Sequence, residues 1–232
     1  EIDGERRDPR LPGPQGRRLF CFLMIRRFAA ITRPGVCTAL WGEQLPAAPD
    51  AALNALLSRL RAALKPVSFD GLRPELPASA WVDIDAARDA IHRAESAIAL
   101  GAWGRAWGAA QVSLFTARRG FLPGEDLSWI ADIRGELDSL HIRALEAYAE
   151  ASLRVAGTEL ATAERSARDL VARAPFRESG YRVLMAALAA RGNSAEALRV
   201  YDNLVRLLSE ELGVVPSQAT RELHAGLLRE TG

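Results

Sequence analysis

The sequence predicts a mainly α-helical protein in two parts. Three short helices and a small hairpin occupy residues 1–80, and an all-helical array fills 81–232. Three observations carry that prediction. Alanine, leucine and arginine, all strong helix formers, dominate a chain that is 49% apolar (AVILMFWYC). Apolar residues recur at helical spacing, and from Asp83 onward the periodic segments follow one another across short gaps, which makes consecutive helices antiparallel neighbours. Charge divides the chain as well: residues 1–65 hold eleven Lys/Arg against six Asp/Glu, whereas the rest holds nineteen against twenty-three. A basic head on an acidic body points the head toward a polyanion, although scatter among surface charges produces such imbalances too.

Taken in order, Glu1 to Pro12 reads as a short strand or ragged entry with a turn at Asp3-Gly4. Gly16 to Arg27 is expected to be a helix, apolar through Leu19, Phe20, Phe22, Leu23 and Ile25 and basic at Arg17, Arg18, Arg26 and Arg27. A second helix starts at Thr32-Arg33-Pro34-Gly35 and runs through Val36, Leu40 and Trp41. Thr32 or Arg33 would cap it, and Pro34 would sit in the first turn, where its missing N–H costs nothing. Gly42 through Pro49 is a loop. The third helix spans about Asp50 to Lys65 on the stripe Leu53, Leu56, Leu57, Leu60 and Leu64, and Pro66 stops it. The next fifteen or so residues, with Gly71, Pro74 and Pro77, leave room for a hairpin. Three helices followed by a hairpin is the order of a winged helix-turn-helix.

The later helices are expected near 83–100, 102–119, 126–156, 158–174, 177–191, 194–212 and 217–230. Gly157 precedes Ala163, and Gly192 precedes Ala195 and Ala197. These two glycines lie 35 residues apart, near the period of about 34 of tetratricopeptide (TPR) repeats. A TPR-like helical repeat is the expectation, with an irregular helical bundle as the alternative.

At 100° per residue the third helix separates into two faces. Opposite the leucines lie Ala51, Ala55, Ser58, Arg59 and Ala62, with Asn54, Arg61 and Lys65 along one flank. Small residues let a backbone enter a major groove closely; Arg59 would reach a guanine edge and the alanines would meet thymine methyls. Arg61 and Lys65 suit phosphates. The same alanines are also what a GC-rich coding bias writes on any helix surface.

Other chemistry finds little support. Gly101, Gly104 and Gly108 lack the spacing of a phosphate loop and no strand precedes them. His92, His141 and His224 are scattered without ligand spacing, so no metal is expected. No GxSxG or HExxH sequence occurs, and neither an enzyme nor a cofactor is expected. Trp81, Trp103, Trp107 and Trp129 read as core residues. Cys21 and Cys37 suit core thiols in a reducing compartment. Leu19–Ile25 and Leu184–Ala190 are too short to span a bilayer, and no signal peptide opens the chain. A cytoplasmic protein with no membrane partner is expected.

Particular motifs sharpen this reading. The run Ala39-Leu40-Trp41-Gly42-Glu43, then Pro46, Ala52-Leu53 and Leu57-Ser58-Arg59-Leu60-Arg61-Ala62-Ala63-Leu64, resembles the OmpR-type winged helix of the SARP/AfsR regulators of actinobacteria. Trp81-Val82-Asp83 and Gly120-Phe121-Leu122-Pro123-Gly124 continue the likeness. Pro175-Phe176-Arg177-Glu178-Ser179-Gly180-Tyr181, Leu184-Met185, Gly192-Asn193, Ala195 to Tyr201, and Glu211-Leu212-Gly213 leading to Pro216-Ser217 resemble the bacterial transcriptional activator domain. The resemblance implies a transcriptional activator that binds double-stranded promoter DNA, often as a dimer on direct repeats, and contacts RNA polymerase holoenzyme. It places the helix 50–65 in the major groove with Arg59 at a base, Ser58 and Arg61 near the backbone, and Arg73 of the hairpin at the minor groove. With Arg33, Asn54 and Lys65, these are the expected DNA-contacting residues.

The sequence also departs from that family. The family has a fuller set of N-terminal strands, the wing segment Val67 to Leu76 is short and contains Pro74, which cannot donate to a ladder, and the second helix opens on Pro34-Gly35. These departures favour an alternative, a TPR-like protein-interaction scaffold with a vestigial winged helix. A ligand sensor in the helical part has no residue constellation behind it.

Overall fold

The computed structural model describes Glu5 and residues 7–231. The turn expected at Asp3-Gly4 lies outside the described residues. The chain divides into two compact units: one runs to Trp81 and takes in Phe121–Ile133, and the other comprises Val82–Gly120 and the chain from Arg134 onward.

The first unit opens on a 3-10 turn, Asp8–Arg10, followed by α1 (Gly13–Ile25), α2 (Arg33–Trp41), α3 (Pro49–Ala63), β1 (Ser68–Asp70) and β2 (Arg73–Glu75). Helix α1 begins three residues before the expected Gly16 because Pro14 serves as a first-turn residue. In α2 the Thr32 hydroxyl accepts from the Gly35 amide at 3.3 Å, so Pro34-Gly35 opens a properly capped helix. Helix α3 ends at Ala63 with Leu64 as its cap. The expected end at Lys65 was two residues too long, because the residue before a proline is driven out of the α region. One core holds the unit together: Leu19 and Leu23 of α1, Val36 and Leu40 of α2, and Leu53, Leu56, Leu57 and Leu60 of α3, with Phe69 and Leu72 of the hairpin against them. Each such leucine contributes about 1.5–3 kcal/mol by burial.

The hairpin forms despite Pro74. Its register pairs Asp70 with Arg73, Phe69 with Pro74 and Ser68 with Glu75, around a two-residue turn in which Gly71 takes φ 58°. The pair closing a two-residue turn is the hydrogen-bonded one, and the ladder alternates. Pro74 therefore falls on a non-hydrogen-bonded pair, where its missing N–H costs no ladder bond. Its ring is buried.

The second unit contains α4 (Asp83–Ala99), α5 (Trp103–Ala117), most of α6 (Ser128–Val155), α7 (Leu160–Arg173), α8 (Glu178–Ala190), α9 (Ser194–Leu212) and α10 (Gln218–Thr231). Each lies within a few residues of its expected span. Consecutive helices pack as hairpins: α4 with α5, α7 with α8, and α8 with α9. Alanines let them approach closely, since Ala87, Ala94, Ala110 and Ala144 are fully buried. A second core gathers Leu184, Met185, Leu188, Ala197, Leu204 and Leu208. Gly192 turns the chain between α8 and α9 at φ 80°. The α9–α10 loop is held at its far end, where the Glu178 carboxylate accepts from the Ser217 hydroxyl at 2.7 Å and from its amide at 2.9 Å.

Trp81 departs from expectation: it is 69% exposed. Among the described residues, no helix is long and apolar enough to cross a membrane.

Candidate nucleic-acid interface

Helix α3 buries its leucines and exposes Ala51, Asn54, Ala55, Ser58, Arg59, Arg61 and Ala62. The exposed face is shallow because three of these side chains are a single methyl. The Arg59 Nε donates to the Ala55 carbonyl one turn back at 3.3 Å. That bond lays the stem along the helix and leaves both terminal nitrogens without a protein partner among the described residues. Ser58 is exposed one residue earlier.

Arg61 is committed elsewhere. Its Nη2 donates to the carbonyl of Gly71 at 2.6 Å, and its guanidinium lies 5.7 Å from the centre of the Phe69 ring. Both partners belong to the hairpin, so Arg61 ties the helix to the turn of the wing. Arg33 is engaged too: at the head of α2, its Nε donates to Asp50 at 3.1 Å and its Nη2 to the Asn54 side-chain oxygen at 2.8 Å. Lys65 lies beyond the helix end and Arg73 lies on β2, both exposed. Thus Ser58, Lys65 and the terminal nitrogens of Arg59 are presented without partners among the described residues, whereas Arg33, Asn54 and Arg61 form contacts that join α3 to α2 and to the hairpin.

The seating of α2 depends on residues that sequence reasoning missed. A helix leaves its last four carbonyls without intrahelical donors. In α2, Thr38 O accepts from Gly42 N at 2.8 Å, Ala39 O from the Trp129 indole at 2.9 Å, Leu40 O from Arg18, and Trp41 O from Gln44 N at 3.1 Å. Arg18 also pairs with Glu125. Trp129 is buried, with its ring edge-on to Phe22 at 5.2 Å and to Phe121 at 6.0 Å between centres. No local pattern announces these partners, which lie up to 107 residues apart; the density of aromatics and turn residues in 121–129 is the available signal.

Beneath this surface Cys37 is a buried free thiol, and Cys21 is half-buried. Burial pushes the Cys37 thiol up and Asp50 adds to the effect against the opposing Arg33, so it stays protonated at neutral pH. Among the described residues no group of three His, Cys, Asp or Glu gathers to hold a metal.

Residues 82–228 match the bacterial transcriptional activator domain. The chain belongs to that family. It is similar to the regulatory protein AfsR of Streptomyces griseus, 33% identical over 93% of this chain, and to AfsR of Streptomyces coelicolor, 31% identical over 93%. The chain spans 22% of the length of each of those proteins. Among solved structures, Mycobacterium tuberculosis EmbR in complex with a low-affinity phosphopeptide superposes with a TM-score of 0.78 at 23% identity, over 94% of this chain and 59% of that one. At that identity the likeness is one of fold. The AfsR-like family and the fold class read from the sequence therefore hold, and bacterial transcriptional activator domains belong to transcription regulators rather than to enzymes.

Proposed function

We propose that this chain is a DNA-binding transcriptional activator, in which residues 1–80 read promoter DNA and the helical part, 81–232, contacts RNA polymerase holoenzyme. The observation that carries this reading is the outward face of α3, where small residues surround an arginine whose terminal nitrogens are unengaged. Inserted in a major groove, Arg59 donates to a guanine edge and Ala51, Ala55 and Ala62 approach thymine methyls. Ser58 and Lys65 meet phosphates, and Arg73 extends from the wing to the minor groove. Arg61 fixes the wing relative to α3 and turns its remaining nitrogens to the backbone. Binding on direct repeats would use a homodimer.

The competing reading, an interaction scaffold with a vestigial winged helix, drew on the short wing and Pro74. A paired hairpin tethered by Arg61 weighs against it. Exposed Val112 and Phe115 on α5 suit a protein partner under either reading.

Gel-shift titration against duplexes from the chain's own upstream region, across a salt series, tests the proposal. Affinity should fall steeply with salt. Arg59→Ala should lower discrimination between specific and random duplex by about 5–150-fold, the equivalent of about 1–3 kcal/mol. Lys65→Ala should weaken all duplexes alike and reduce the salt slope by about one. Absence of binding at low salt overturns the proposal, and a stable protein partner retrieved by such a non-binding chain selects the scaffold.

A further inference from the structure

Asn54 lies on α3 one turn after Asp50, on the flank that faces the head of α2. Arg33 reaches both the Asp50 carboxylate and the Asn54 carboxamide, with Nε 3.1 Å from Asp50 Oδ1 and Nη2 2.8 Å from Asn54 Oδ1. A guanidinium has donors only. The atom of the Asn54 amide that meets it must therefore be the oxygen, a chemical assignment independent of how the two ends of an amide are told apart. The amide nitrogen then faces away from Arg33, and it has no partner among the described residues. Asp50 also holds the guanidinium, through Nε, against the pull of a phosphate.

We propose that Arg33 fixes Asn54 as a hydrogen-bond donor, so that the base it meets is guanine rather than adenine. This rests on the reading that α3 enters the major groove. An unconstrained asparagine recognises adenine with both ends of its amide, the oxygen accepting from N6 and the nitrogen donating to N7. Here Arg33 already takes one lone pair of the oxygen, and to reach the other, adenine's N6 donor would have to approach a cation. Guanine instead offers two acceptors, N7 and O6, which receive the Asn54 nitrogen and are attracted by the Arg33 charge. Thymine offers a single acceptor beside its methyl group. Arg33 is thus a positioning residue that sets the base preference of its neighbour.

Selection from randomised duplexes by the whole chain, followed by competition binding with each base at the selected positions, tests this. Asn54→Ala should make one position degenerate, and at that position the unaltered chain should prefer guanine over adenine by about tenfold. Arg33→Met frees the amide oxygen and should move that position alone toward adenine. Asn54→Asp keeps the shape and the Arg33 contact but removes the donor, and should abolish the guanine preference even where Arg33→Met fails to fold. Preference for adenine by the unaltered chain, an unchanged guanine preference in folded Arg33→Met chain, or a guanine preference retained in the Asn54→Asp chain each overturns the inference while leaving DNA binding intact. Failure of the unaltered chain to select any duplex at low salt overturns the major-groove reading itself, and this inference with it.

Discussion

Replacing Trp129 should loosen the first unit although Trp129 stands 48 residues beyond Trp81 in sequence. Its indole is buried, donates to Ala39 O at 2.9 Å and meets Phe22 and Phe121 edge-on. Trp129→Phe keeps most of the ring contacts but deprives the Ala39 carbonyl of its donor, a loss of about 1–3 kcal/mol. Trp129→Ala also removes the two aromatic pairs, about 0.5–1.5 kcal/mol each, and leaves a cavity, for a total of about 3–5 kcal/mol. A unit of roughly ninety residues has about 5–14 kcal/mol to lose. With a urea dependence of about 2 kcal/mol/M, Trp129→Ala should lower its unfolding midpoint by about 2 M. Far-UV signals are dominated by the second unit, so the assay is amide hydrogen exchange resolved at α2 and α3 in rising urea. Exchange there that is the same in Trp129→Ala as in the unaltered chain would refute the assignment of 121–133 to the first unit.

Two further outcomes are expected. Arg61→Met removes the bond to Gly71 O and the cation over Phe69 at a cost below about 1 kcal/mol, because Arg61 is exposed; exchange of hairpin amides should accelerate while α1 and α2 are unaffected, and unaltered hairpin exchange would show that Arg61 does not tether the wing. His141 is buried, and burial, then Arg173 and Arg118, hold its pKa below 6.5 against the weaker opposing pull of Asp138 and Asp169. A depressed histidine is neutral in the folded chain and is protonated first in the unfolded one, so stability should fall as pH drops from 6.5 toward the folded pKa. His141→Gln should flatten melting temperature against pH in that window. Glu164 and Glu178 are lowered from 4.5 and act only in more acid solution, so they do not imitate this effect. Equal slopes above pH 5 would count against it.

Most of the fold was legible because it is written in local periodicity. The α3 stripe Leu53, Leu56, Leu57 and Leu60 could be read as a buried face without knowing what it packs against, and Gly192 marked a turn that needs positive φ. Boundaries failed where one residue overrode the pattern. Pro14 drew α1 forward, and Pro66 kept Lys65 out of α3 although Lys65 continues the wheel. Trp81 was misread because a large apolar side chain raises the expectation of burial without supplying the neighbours that would bury it. The place of 121–133 was illegible for a deeper reason. Its Trp129 satisfies the Ala39 carbonyl of α2, and a carbonyl awaiting a donor leaves no trace in side-chain sequence.

The same distinction governs the cations of the candidate interface. A helical wheel tells which way a side chain leaves the helix but not what it meets, and Asn54, Arg61 and Lys65 shared one flank on the wheel. The structure gives them three different situations. Arg61 is held by the wing, Asn54 by Arg33, and Lys65 has left the helix. Charge counting therefore overstates how many groups can respond to DNA, since a guanidinium already bonded within the fold gains less from a phosphate than a solvated one and loses its contacts if it moves. By that argument sequence preference belongs to few groups. If α3 reads DNA as proposed, Arg59, with both terminal nitrogens unengaged, would provide the adaptable contact, and Asn54, with one end of its amide already engaged, would provide a fixed one.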